Sequence, residues 1–373
     1  MKTPLGDIAV DCFLHDYWQK KPLLIRNAFP NFKNPVSLKQ LINLAHDAEV
    51  ESRLVSQKNN HWKLRRGPFT ANDFRNLPKT HWTLLVQGLN QQLQQAQDLL
   101  LEFNFLPYSR LDDVMASFAT IGGGVGPHFD SYDVFLLQGL GKRRWEISKQ
   151  KDKTLLPNTP LKLLRNFAAE QKWVLTPGDM LYLPPGYAHH GVALEDCVTY
   201  SIGFRAPTYQ ELATEFLNYL QDQITLVGIY KDGRLKQQKH PAQISVATVF
   251  QIEKILGQVR WNKSKVQDFL GIFLTEPKPA TFFKPPVKVL AKTLFFNKAN
   301  TMGIRLALKS KMLFSKGMFY INGERSVFSK RAQATLKLLA DKRCIDSINK
   351  LANDDKNLIY DWYRYGYIEL GQR

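Results

Sequence analysis

The chain has 373 residues, 44% hydrophobic and 12% aromatic, enough for two or three compact cores and too apolar for a disordered polymer. Its net charge of +18 leaves two readings open, a polyanionic partner or a solvated basic surface. Cys12, Cys197 and Cys344 stand far apart without a CxxC pair, which argues against a disulfide framework or structural zinc site and suits a reducing cytoplasm.

The N-terminal run MKTPLGDIAVDCFLHDYW lacks a continuous apolar segment with a small-residue cleavage site, and no later window is apolar enough to span a bilayer. The expectation is a soluble cytoplasmic protein with no membrane contact. Residues 1–207 are rich in Gly, Pro and aromatics, and alternating runs such as DVMASFATI and CVTYSIGFR predict strands. From Pro207 the period changes. TYQELATEFLNYLQDQITL places Leu212, Phe216, Leu220 and Ile224 four apart, the spacing of one helical face, and ISVATVFQIEKILGQV and NKSKVQDFLGIFL read similarly. TEPKPA and the later KPP mark a linker. Beyond it, MFYINGERSVF predicts a hairpin with an Asn-Gly turn, KRAQATLKLLADK a helix, and DWYRYGYIEL a helix running into a strand, together a winged-helix shape. Residues 277–323 hold nine Lys or Arg and no Asp or Glu, a local bias that points to a surface facing a polyanion.

The segment GPHFDSYDVF carries the chemistry. In a strand, His128, Asp130 and Tyr132 share one face, so an imidazole and a carboxylate converge. A third ligand comes from PGDMLYLPPGYAHHGVALE. Only one of His189 and His190 can point inward in an extended segment; the position after PPG favours His189, with His190 outward or behind it. Two histidines and one carboxylate leave half of a metal's coordination sphere open, the facial triad of non-haem iron(II) oxygenases. The GGGVGP run suggests a phosphate cradle, but it lacks a following Gly-Lys-Ser/Thr and has Pro127 where GxGxxG needs its last glycine, so it reads as a turn entering the metal strand.

The set FLHDYWQKKPLLIRNAF, GPHFDSYDVFLLQGLGKRRW, PGDMLYLPPGYAHHG and YSIGFR resembles the JmjC group of 2-oxoglutarate-dependent oxygenases, and within it the bacterial ribosomal oxygenases that hydroxylate C3 of an arginine on large-subunit ribosomal protein sixteen. The strong match covers about residues 8–207. The resemblance implies a double-stranded β-helix of the cupin or jelly-roll type over 1–207, a helical module at 208–274 whose apolar faces bury against the first domain or against a second copy as a homodimer, and a small winged-helix-like domain at 275–373. It implies Fe(II) at His128, Asp130 and His189, with 2-oxoglutarate as cosubstrate held at its far carboxylate by Arg143 and Ser117. If Ser117 faces the cavity, alternation brings Met115 and Asp113 to the same side, and Tyr132 and Ser201 line it too; these positions match the family's arginine pocket. The partner implied is a ribosomal protein, with ribosomal RNA contact open for the basic C-terminal region. Two competing readings stay open: hydroxylation of a histidine in another ribosomal protein, and a non-catalytic RNA-binding cupin.

Overall fold

The computed structural model describes residues 3–59, 61–231 and 236–371. In its N-terminal part the strands are β1 (Leu23–Ile25), β2 (Ser52–Lys58), β3 (His61–Arg66), β4 (Trp82–Val86), β5 (Leu111–Ala119), β6 (His128–Phe129), β7 (Asp133–Leu140), β8 (Arg143–Ser148), β9 (Gln171–Leu175), β10 (Met180–Leu183), β11 (Ala188–Ala193) and β12 (Cys197–Phe204). They form an eight-stranded sheet, β1-β10-β7-β12-β5-β4-β2-β3, and a four-stranded one, β6-β11-β8-β9. Val134 and Leu136 of the larger sheet pack with Trp145 and Ile147 of the smaller, so the two face each other as the expected double-stranded β-helix.

Period-2 alternation decides what each strand contributes. Along β5, Val114, Ala116 and Phe118 enter the main core, which lies on the outer face of the larger sheet. There they meet α1 (Val10–Asp16), α2 (Leu38–Ala45) and α4 (Gln94–Leu101); the short α3 (Ala71–Arg75) lies between α2 and β4 in the chain. Phe13 of α1 is wholly buried, with its ring 5.0 Å from Tyr182 and 5.7 Å from Phe135. The opposite residues Met115 and Ser117 are thereby turned toward the space between the sheets.

Helices follow the barrel: α5 (Tyr209–Gln221), α6 (Val246–Leu256) and α7 (Lys263–Thr275). In α5, Phe216 packs on Trp261 and Phe269, and Leu220 is buried. The helix stops at Gln221, so Ile224, although in phase, lies beyond it. The last part contains α8 (Lys292–Met302), β13 (Ile304–Leu306), β14 (Met312–Ser315), β15 (Met318–Ile321), β16 (Glu324–Val327), α9 (Gln333–Lys342), β17 (Cys344–Ile345), α10 (Asn353–Tyr365) and β18 (Ile368–Leu370). Asn322 and Gly323, with φ of 51° and 85°, make the β15–β16 turn, the double left-handed geometry that Asn-Gly adopts. This part has its own core, centred on Phe295, Phe319, Leu336, Ile359 and Trp362. Its docking partner is α7: Tyr320 Oη donates to Asp268, and the Gly323 amide donates to Thr275 Oγ1. The expected boundary after residue 274 thus falls at the end of a helix that packs on the C-terminal strands. Among the described residues, no helix is long and apolar enough to cross a membrane.

Candidate active site and metal centre

β6 and β11 bring the GPHFDSYDVF segment to the histidine after PPG. His128 and His189 are cross-strand neighbours, with ring centroids 4.2 Å apart. Asp130, in the turn after β6, places Oδ1 3.8 Å from His128 Nε2 and Oδ2 3.5 Å from His189 Nε2. One donor atom from each of the three lies within 4.8 Å of the others. Both rings are oriented from behind: His128 Nδ1 is 2.9 Å from the Gly126 carbonyl and His189 Nδ1 is 3.2 Å from that of Tyr187. A carbonyl only accepts, so each Nδ1 carries the proton and each Nε2 presents a lone pair to the shared point. Burial, with His128 alongside, pushes the His189 pKa down to about 4, which keeps that imidazole neutral as a ligand must be. Two neutral imidazoles and a carboxylate fit a divalent transition metal such as iron(II). His190 takes no part, lying 3.7 Å from Glu146 with its ring against Phe167.

The glycines before His128 serve packing. A Cβ on Gly124 would sit 2.4 Å from the Gly191 carbonyl, and Gly126, at φ 76°, supplies the carbonyl that aligns His128.

Between the sheets lies a cavity of about 400 Å³ that these ligands share with Ser117, Arg143, Met115, Tyr132 and Ser201. Arg143, from β8, is 4% exposed. Its Nη1 donates to Ser117 Oγ at 3.0 Å, while Nε and Nη2 have no hydrogen-bond partner among the described residues. A buried guanidinium with two idle donors is costly unless an anion completes it, and a dicarboxylate's far end matches that fork. The donor sets therefore fit both a metal and a keto diacid.

Ser201 is the register partner of Met115, and Tyr132 stands at the rim, 38% exposed, its hydroxyl kept protonated by partial burial and by the Asp130 and Asp113 carboxylates. Asp113 differs from its expected neighbours. It is 3% exposed and borders an adjoining cleft between β5 and the segment after α7. Gln87 Nε2 donates to its two oxygens at 3.0 and 2.8 Å, and Lys278 Nζ approaches at 3.3 Å. Burial raises its pKa against the pull of Lys278. Sequence reasoning missed Arg53, Gln87 and Lys278. Alternation along β4 puts Thr83, Leu85 and Gln87 on one face, a signal for Gln87; no sequence pattern brings Lys278 to β5.

Residues 98–212 match the JmjC domain and residues 258–369 the ROXA-like winged helix. The chain is 37% identical to the ribosomal protein uL16 3-hydroxylase of Escherichia coli K12 over 74% of its own length and 73% of that protein's. It superposes on a crystal structure of E. coli YcfD with a TM-score of 0.86 at 30% identity, covering 98% of both chains. The structure of the E. coli ribosomal oxygenase YcfD with cobalt and 2-oxoglutarate gives a TM-score of 0.84, again at 30% identity, covering 98% of this chain and 99% of that one. With a metal-binding triad and an anion-ready arginine in a JmjC barrel, followed by this winged helix, the chain belongs to the JmjC-domain ribosomal oxygenase family.

Proposed function

We propose that the chain is a cytoplasmic iron(II)- and 2-oxoglutarate-dependent protein hydroxylase that hydroxylates C3 of an arginine in ribosomal protein uL16. One observation carries this reading: three converging ligand atoms share a cavity with a buried arginine whose Nε and Nη2 have no hydrogen-bond partner among the described residues. Iron(II) with 2-oxoglutarate supplies the oxidising chemistry, in which dioxygen and the keto acid yield succinate, carbon dioxide and one oxygen atom for the substrate carbon.

The chain's own residues bind and aim. His128, Asp130 and His189 would hold the metal from one side and leave the other for cosubstrate and dioxygen. Arg143 and Ser117 would grip the far carboxylate, setting which way the keto acid lies. Asp113 would pair the substrate guanidinium while Met115 and Tyr132 clasp its aliphatic stem and Ser201 adds a hydroxyl at the wall. This placement selects the carbon, because the oxidant attacks what is held nearest. The acidic Asp113 favours a cationic side chain over histidine. Mass spectrometry of ribosomes from cells lacking the gene tests the proposal: uL16 should be lighter by one oxygen atom and regain it on complementation, and an unchanged mass refutes it.

The reading divides the chain into a catalytic domain (1–207), a helical module (208–274) and a winged-helix-like domain (275–373). A homodimer through the helical module is supported by α6, which buries none of its residues and exposes Val246 (84%), Phe250 (66%) and Leu256 (61%). Phe250→Glu should then sediment as a monomer where the natural chain sediments as a dimer. Contact with ribosomal RNA is supported by exposed Lys284, Lys288, Lys292, Lys298 and Lys316. Salt-sensitive binding to ribosomal RNA would bear it out, and its absence would remove it.

A further inference from the structure

We infer that Lys278, in the segment joining α7 to α8, is a positioning residue that fixes the Asp113 carboxylate for the incoming substrate side chain and ties that pocket to the docked C-terminal domain. The inference rests on the arginine-hydroxylase reading above.

Lys278 Nζ lies 2.7 Å from Asp112 Oδ1 and 3.3 Å from Asp113 Oδ2, bridging the two adjacent carboxylates. Gln87 Nε2 donates to both oxygens of Asp113, and Gln87 is aligned in turn by Arg53, whose Nη2 donates to its Oε1 at 3.2 Å. Asp113 is therefore held from two sides, by the end of β4 and by the linker. Three of the roughly four acceptor positions of a carboxylate are used, and the free one is on Oδ1. Nothing crowds that oxygen from β12, because Gly203 stands there; even a Cβ on it would be 3.9 Å away. Lys278 reaches Asp113 from the outer cleft, which both residues line and which adjoins the cavity that Met115, Tyr132 and Ser201 share.

The charges agree with the geometry. Lys278 lies closer to Asp112 than to Asp113, and Lys311 also attracts Asp112, so the charge left for a guanidinium is that of Asp113. Without Lys278, adjacent like charges in a buried setting would swing apart or take up a proton. Nor is the contact isolated. Lys309 Nζ donates to Glu49 at 3.0 Å, and Lys311 Nζ donates to the Leu111 carbonyl at 3.1 Å, so the C-terminal domain grips the approach to β2 and the start of β5. Lys278, Lys309 and Lys311 of the basic 277–323 run thus reach the barrel, as does Lys284, 3.8 Å from Glu49.

The test uses the full-length protein and a fluorescein-labelled uL16 peptide carrying either arginine or the neutral isostere citrulline. Binding is read by anisotropy on metal-free protein and turnover on iron-loaded protein. In Lys278→Met, the arginine peptide should bind about fivefold more weakly, with KM rising by the same factor and kcat little changed, as for loss of a partly exposed charge contact. The preference for arginine over citrulline should shrink correspondingly, and Lys278→Arg should restore both. An unchanged or lower KM in Lys278→Met overturns the inference, the latter marking Lys278 as a plug. Equal weakening of the arginine and citrulline peptides also overturns it, because that is the mark of general loosening. Failure of the natural protein to bind or hydroxylate the arginine peptide would sink the underlying reading instead.

Discussion

Arg143 Nη1 donates to Ser117 Oγ across 3.0 Å from the facing sheet, and among the described residues this is the sole hydrogen bond of a guanidinium that is 4% exposed, its Nε and Nη2 making none. The arrangement sacrifices solvation in one state to recover it in another, since a dicarboxylate entering the cavity meets a preformed cationic fork.

Arg143→Met should therefore raise the KM for 2-oxoglutarate by about 30-fold or more, the effect of truncating one side of a buried charge pair. The same variant should melt at or above the natural protein's temperature when no cosubstrate is present, because it no longer buries an uncompensated charge. Adding 2-oxoglutarate should stabilise the natural protein and leave the variant unmoved. Succinate release and thermal melts check both halves.

Replacing His128, Asp130 or His189 with Ala should weaken iron uptake by about 100-fold or more, because two protein ligands hold a labile divalent metal poorly. His190→Ala should load iron as the natural protein does, since that ring is turned to Glu146 and Phe167. Metal content after dialysis separates the adjacent histidines.

Metal-free protein should show an acid-sensitive stability traceable to His189. Its pKa is pushed down to about 4 by burial, below the 6.5 of a free imidazole. Between these values the unfolded chain binds the proton and the folded one does not, so stability is complete above about pH 6.5, declines as the pH falls, and levels off below about pH 4. The loss should total about 3 kcal/mol. Denaturant unfolding across that range measures it, and His189→Phe should flatten the dependence.

The metal centre was legible because its signal is local. A strand's period of 2 places His128 and Asp130 together, and one histidine after PPG completes the set. The interior positions of β5 followed from the same period, with Asp113 displaced to a neighbouring cleft. Helix ends were harder: Ile224 continues the apolar phase of α5, yet the helix closes at Gln221. Least visible was the contact of Lys278 with Asp112 and Asp113, which lie some 165 residues earlier in the chain. TEPKPA reads as a linker in one dimension and lines the cleft beside Asp113 in three. The basic run at 277–323 points in sequence to a surface facing a polyanion, yet Lys278, Lys309 and Lys311 turn inward to the barrel.

The central claim is tested most directly by incubating iron-loaded protein with 2-oxoglutarate, isotopically heavy dioxygen and a uL16 peptide, then locating the label by fragmentation. The expected product carries one heavy oxygen on C3 of a single arginine, with one succinate formed for each hydroxyl. A fully metallated, folded protein that leaves the peptide mass unchanged would contradict the account.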